Sequence, residues 1–204
     1  MRTGTEIARP RGRPRGFDRD TVLRAALQRF RTHGFAGTSL DDLADATGIN
    51  RPSLYAAFGD KRALYIAALD RTHEWLSAAF ARLREADLPL HELLDRVFSS
   101  TIDVYLTGEA GPSGCIAVNT AAAEAVTDPD IRAALARILE LEDRELEDLL
   151  ATAGSAAPAM HARFVSSLLH SLSVRARAGE SREAMDRIAE DCIAMIAVAS
   201  GCQS

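Results

Sequence analysis

The sequence predicts an all-α protein, and three observations carry that prediction. Nearly every segment past Phe17 repeats its apolar residues at helical spacing. No run alternates apolar and polar residues as a half-buried strand would. The hydrophobic fraction, 47%, is rich in Ala and Leu and poor in β-branched runs. A chain of 204 residues can bury a core without disulfides or metals. The expected layout is an N-terminal three-helix unit followed by a larger helical body.

The elements follow in order. Asp18 suits an N-cap for a first helix, RDTVLRAALQRFRTH, in which Val22, Ala26, Leu27 and Phe30 share a face and Gly34 supplies the stop. The stretch TSLDDLADATGINRPSLYAAF, residues 38–58, reads as two short helices. Thr38 and Asp41 open the first as a variant capping box, with Leu40, Leu43 and Ala44 facing inward and Gly48 ending it. Asn50 caps the second, Pro52 sits in its first turn, and Leu54 and Phe58 point inward. Asp60 begins a fourth helix, Lys61 to about Arg84.

Past Ala86 the units lengthen. Helices are expected over 89–106, 115–125 and 129–152, the last opened by Asp128 and Pro129, with loops at 107–114 and 153–158. Two more, at about 159–178 and 182–199, are separated by Gly179, and Ser181 caps the second. The acidic run ELEDRELEDLL, 140–150, reads as an amphipathic helix with a solvated face.

Charge divides the chain. Residues 1–69 hold 12 Lys/Arg against 7 Asp/Glu, a net of +5, whereas residues 70–204 hold 12 against 22, a net of -10. A basic module that seeks anions thus precedes an acidic body that nucleic acid would repel. The first 16 residues lack the apolar stretch of a secretory signal, and no run is long enough to span a membrane. Cys115, Cys192 and Cys202 form no CxxC pair, and the five histidines show no HxxxH or HxH spacing. A soluble, reduced, cytoplasmic protein without metal or cofactor is expected.

Two short helices joined by a tight glycine turn make a helix-turn-helix pattern. Ile49 and Leu54 would fill its interior, leaving Arg51, Ser53, Tyr55 and Ala57 to a DNA groove. The flanks add specificity. The ordered set Phe30, Gly34-Phe35, Thr38-Ser39, Leu43-Ala44, Gly48, Ser53-Leu54-Tyr55, Phe58 and Lys61 through Leu64 resembles the TetR/AcrR family of transcriptional regulators, over roughly residues 17–66. The run SVRARAGESREAM, 173–185, resembles a stretch common before the last helix of such regulators.

Three segments are expected: a basic arm, 1–16, read from its arginines, and, from the resemblance, a DNA-binding domain, 17–62, and a ligand-binding and dimerisation domain, 63–204. It implies phosphate contacts from Thr38, Ser39, Tyr55 and Lys61, the chain's only lysine, and base-edge contacts from Arg51 and Ser53. Ala57 departs from the polar residue often found at its position. Arg11, Arg13 and Arg15 lie in RPRGRPRG, 9–16, whose prolines and glycines hold an extended path fitted to a minor groove. A merely cationic tail adding non-specific affinity is the alternative.

The resemblance further implies a homodimer on an approximately palindromic double-stranded operator, and a small-molecule effector that shifts the population away from the DNA-bound form. Dimer candidates are Phe164, Leu168 and Leu172 on one helix and Ile188, Cys192, Met195 and Ile196 on the next. Ligand candidates are Trp75, Phe80, Phe98, Ile102, Tyr105, Cys115, Asn119 and His170. Cys115 opens a helix, where the N-terminus could lower its pKa, although a buried structural role is the simpler reading. No enzyme signature is present. An architectural binder of A·T-rich DNA stays open as the alternative to a regulator.

Overall fold

The computed structural model describes residues 17–201, so Arg11, Arg13, Arg15 and the rest of the arm lie outside the described residues. Among those described there are nine α-helices and no strand. The first four are α1 (Arg19–His33), α2 (Leu40–Thr47), α3 (Arg51–Phe58) and α4 (Lys61–Ala86). Then come α5 (Leu90–Leu106), a π-helical turn (Ala117–Ala121) running into α6 (Ala122–Glu124), α7 (Pro129–Thr152), α8 (Pro158–Arg177) and α9 (Arg182–Ala199).

The expected punctuation largely operates. Asp18, Asn50, Asp60 and Ser181 each accept a backbone N–H at the start of the helix they precede. Gly48 takes the left-handed conformation at the end of α2, with φ 68°. One assignment moves by a residue: the capping box of α2 is formed by Ser39 and Asp42, not by Thr38 and Asp41. The helix expected over 115–125 is also not regular, because its middle is the π turn.

Two hydrophobic clusters organise the fold. One gathers α1 to α3 and the first half of α4 around Phe30, Leu43, Leu54 and Tyr65, and extends into Ile116, Ala117, Ala121 and Ile131. The other joins α5, the end of α7, α8 and α9 around Phe98, Ile102, Val165 and Leu172. The helix α4 belongs to both and crosses the domain boundary expected at 62/63 without a break. Four ion pairs tie it along α7: Arg62 to Asp128 and to Asp130, Asp70 to Arg137, and Arg84 to Glu145. At 26 residues it is a strut of about 39 Å between the head and the body.

Candidate functional site

The head is a helix-turn-helix with one face of its second helix left outside. In α3, Leu54 and Phe58 are buried, while Arg51, Pro52, Tyr55 and Ala56 are exposed. Tyr55, 48% exposed, stands on the outer face. Arg51 is exposed too and pairs with Asp41 of α2. Ser53 is half-buried, with its N–H donated to the Asn50 side chain.

Ala57 does not face outward. It packs against the head core, and its carbonyl accepts Arg19 Nη1 at 2.8 Å. The outward-facing alanine is Ala56, because the exposed set follows 51, 52, 55, 56 at helical period. Arg19, whose guanidinium also lies 4.2 Å from the Phe58 ring centre, anchors the start of α1 beside the end of α3.

The phosphate candidates separate as well. Thr38 is only 1% exposed and its hydroxyl donates to the Gly34 carbonyl at 2.7 Å, so it holds the turn before α2 and cannot offer that hydroxyl to DNA. Ser39 is exposed at the N-terminus of α2. Lys61 Nζ donates to the carbonyls of Phe35 at 2.9 Å and Thr38 at 3.0 Å, and stands 4.2 Å over the Phe35 ring. Its ammonium thus pins the turn before α2, with two of its three N–H groups engaged.

Within the body, four of the ligand candidates meet. Asn119, in the π turn, donates to Ser173 Oγ at 3.0 Å, and the Cys115 N–H donates to the same oxygen at 2.8 Å. One turn back on α8, His170 Nε2 lies 2.9 Å from Glu142 Oε2 of α7. The Tyr105 carbonyl accepts the N–H groups of Ser113 and Gly114. Burial, then the nearby Glu142 carboxylate, pushes the Cys115 thiol up to about 11. That opposes the lowering expected from a helix N-terminus, at a side chain that is half-buried. Burial likewise raises the Tyr105 phenol, and its hydrogen bond to Glu142 raises the His170 imidazole.

The other ligand candidates do not join this cluster. Phe80, Phe98 and Ile102 are body core. Trp75 packs on the head cluster, with Arg71 over its ring at 4.9 Å. The sequence reading missed Glu142, which is only 6% exposed although it lies in the run read as solvated. Its signal is Leu146 four residues on, which places it on the inner stripe. It also missed Arg31, buried four residues after Leu27 on the core face of α1.

The groove between α8 and α9, of about 440 Å³, is lined by Phe164, Leu168, Ile188, Cys192 and Met195 together with Ser167, Ser171 and Asp191. Phe164 and Met195 are 51% and 55% exposed. Leu172 and Ile196 are instead buried within the chain's own core and have no surface to offer a second copy. Their positions on the helical wheel point toward α5, the neighbour that both helices cover.

A capped helix-turn-helix with an exposed basic and aromatic face, set on a larger helical body, defines a DNA-binding regulator. The family model "Bacterial regulatory proteins, tetR family" matches residues 22–68. The chain is 32% identical over 191 residues to the HTH-type transcriptional repressor ComR of Escherichia coli K12, covering 90% of each. It is 29% identical over 172 residues to the repressor BdcR of the same organism, covering 84% of this chain and 85% of that one. A solved structure of a cysteine-substituted CifR, a TetR family transcriptional regulator complexed with 26-bp double-strand operator DNA, superposes with a TM-score of 0.73 at 30% identity, over 90% of this chain and 98% of that one. The chain belongs to the TetR family: it is a DNA-binding transcriptional regulator and not an enzyme. Among the described residues no helix is long and apolar enough to cross a membrane.

Proposed function

We propose that the chain is a cytoplasmic homodimeric repressor that binds a near-palindromic operator and is released from it by a small molecule held in the body. The observation that carries this reading is the outward face of α3, with Arg51, Tyr55 and Ala56 exposed on a helix capped at both ends. Arg51 reads a base edge, Tyr55 and Ser39 hold phosphates, and Lys61 adds one N–H to the backbone contact. Ser53 supports the start of α3 and contacts DNA at the edge of the groove.

The α8–α9 groove supports the dimer. The half-exposed Phe164 and Met195, with Leu168 and Ile188, make an apolar stripe along the groove, and Val174 and Val198 are exposed on the same two helices. A second copy related by a two-fold axis covers that stripe with its own, forming a four-helix interface. The same axis places two α3 helices on two half-sites, which makes the operator a near-palindrome. The cluster of Tyr105, Cys115, Asn119, Glu142 and His170 supplies the polar groups of an effector site. Arg11, Arg13 and Arg15 of the basic arm read the flanking minor groove in this proposal.

Selection of bound fragments from the parent genome tests the reading. Recovery of one near-palindromic site that survives competitor DNA at physiological salt supports it. Binding that grows with fragment length and favours no site overturns it in favour of an architectural binder.

A further inference from the structure

The head is nearly neutral once residues 1–16 are set aside. Residues 17–69 hold 7 Lys/Arg against 6 Asp/Glu, a net of +1, so most of the +5 of residues 1–69 belongs to the arm. The described cations of the head are also engaged within the chain. Arg24, Arg29 and Arg62 pair with carboxylates, and Arg19, Arg31 and Lys61 donate to backbone carbonyls. That leaves Arg51 on the exposed face of α3, and it faces Asp41 of α2.

Arg51 is the first residue of α3, and Asp41 is the second of α2. The N-terminal end of a helix dipole favours an anion and disfavours a cation, so Asp41 suits its place and Arg51 opposes its own. Both side chains are exposed, and an ion pair so open to solvent contributes little to folding. Stability therefore does not account for an arginine at this position.

The pair is electrically neutral, and that decides what it binds. A lone guanidinium here would be drawn to any phosphate, an attraction common to all sequences. Beside Asp41 that attraction is largely cancelled, and the carboxylate itself repels phosphate oxygens. A guanine edge instead offers two uncharged acceptors, O6 and N7. The guanidinium has five N–H donors in one plane; Asp41 engages Nη2, and the remaining donors suffice for both acceptors. The carboxylate also holds the fork in place before DNA arrives, which lowers the ordering cost of the contact.

We infer that Asp41 is a specificity-determining residue of the head: it buttresses Arg51 so that the fork accepts a guanine edge and is withheld from phosphate. The inference deepens the proposed function and rests on its assignment of Arg51 to a base edge. Asp45, one turn further along α2, supplies the contrast. It is exposed, and the described ion pairs of α2 are made by Asp41 and Asp42 and not by Asp45. Its charge repels the DNA backbone without holding Arg51.

Fluorescence anisotropy of the full-length protein, on the duplex recovered by selection and on an unrelated duplex of equal length, tests this. Asp41→Asn should cut the ratio of the two affinities by about tenfold, within the range that one bidentate base contact discriminates. Most of that loss should come from tighter binding to the unrelated duplex, with a salt dependence steeper by about 0.9 per head, as one more phosphate contact requires. On single-substituted duplexes, preference at the base pair that Arg51 reads should relax although Arg51 is present. Asp45→Asn removes the same charge and should tighten both duplexes alike, leaving the ratio within about twofold of the wild type. Should Asp41→Asn not fold by circular dichroism, Asp41→Ala carries the same expectations. An Asp41 variant that keeps the wild-type ratio, or that behaves as Asp45→Asn does, overturns the buttress alone if Arg51→Ala still relaxes one base preference. Equal weakening of every duplex by Arg51→Ala overturns the base contact on which the buttress rests.

Discussion

The DNA-reading head and the body are both closed helical cores, but they hold their helices in different ways. Two of the head helices, α2 and α3, have eight residues each, well below the length of about 12–15 at which an isolated helix becomes even marginal in water. All four helices that build the head begin at a side-chain cap. In the body, α5 and α8 begin with no side-chain cap at all, and their 17 and 20 residues are held by the area they bury. Buried polar groups differ in the same sense. Thr38 and Arg31 on the head side bond backbone carbonyls, whereas the body buries Glu142 against a titratable partner. The head is fixed by local chemistry; the body carries groups whose state can change.

The largest effect expected from breaking this contrast comes at the centre of the head. Phe30 is fully buried, packed edge-on against Tyr65 with ring centres 4.8 Å apart. Phe30→Ala should cost about 3–5 kcal/mol, read as a drop in the denaturant midpoint. Loss of operator binding at temperatures where the far-UV signal of the long body helices persists would show that the head melts by itself. A single transition for both would show that α4 makes the two cores one cooperative unit.

Next in size is the reading face itself. Arg51→Ala should reduce operator affinity by about 1–3 kcal/mol and relax preference at one base pair of each half-site, measured by fluorescence anisotropy on single-substituted duplexes. Uniform weakening on every duplex would instead assign Arg51 to a phosphate. Asn50→Ala removes the cap of α3 and should cost about 1 kcal/mol of stability. Ser181→Ala removes the corresponding cap of α9 at a similar cost but should leave operator affinity unchanged. Equal effects of the two on DNA binding would erase the distinction between a locally fixed head and an area-fixed body.

That distinction also explains what could be read from the sequence. Caps, glycine stops and the Pro52 position are local signals, so Asp18, Asn50, Gly48 and Ser181 could be assigned their places from neighbouring residues. Thr38 and Ser39 are adjacent hydroxyls, and which of them caps α2 depends on the carbonyl that Gly34 presents, a tertiary fact. Ala57 faces inward, one position from the outward Ala56, because the inner face of α3 is set by where Arg19 and Phe58 pack, which no local signal in the sequence shows. Leu172 and Ile196 were legible as apolar, but whether an apolar stripe faces its own core or a second copy depends on which helix lies against it. Arg31 and Glu142 sit on apolar faces at helical spacing, and their partners lie 83 and 28 residues away, beyond any periodicity. The π turn left no signal in AVNTA.

The smallest expected effect is a pH dependence that belongs to the body alone. The hydrogen bond from His170 to the buried Glu142 carboxylate raises the histidine above its ordinary value, with desolvation working against it and the Asp143 charge adding to it. A group whose pKa is raised on folding stabilises fully below its unfolded value, near 6.5, and loses that contribution as pH climbs through the folded value. The melting temperature should therefore decline between about pH 6 and pH 8, and the decline should be shallower in His170→Gln. The head carboxylates Asp18 and Asp42 are shifted the other way, held down by bonds from Thr21 and Ser39. Their contribution is complete above the ordinary carboxylate range and is lost only as pH falls below it, so they add no slope in the same window. A decline of equal steepness in His170→Gln would mean that the charge of His170 is not what holds Glu142 in the body, and that the polar cluster is fixed in the way the head is.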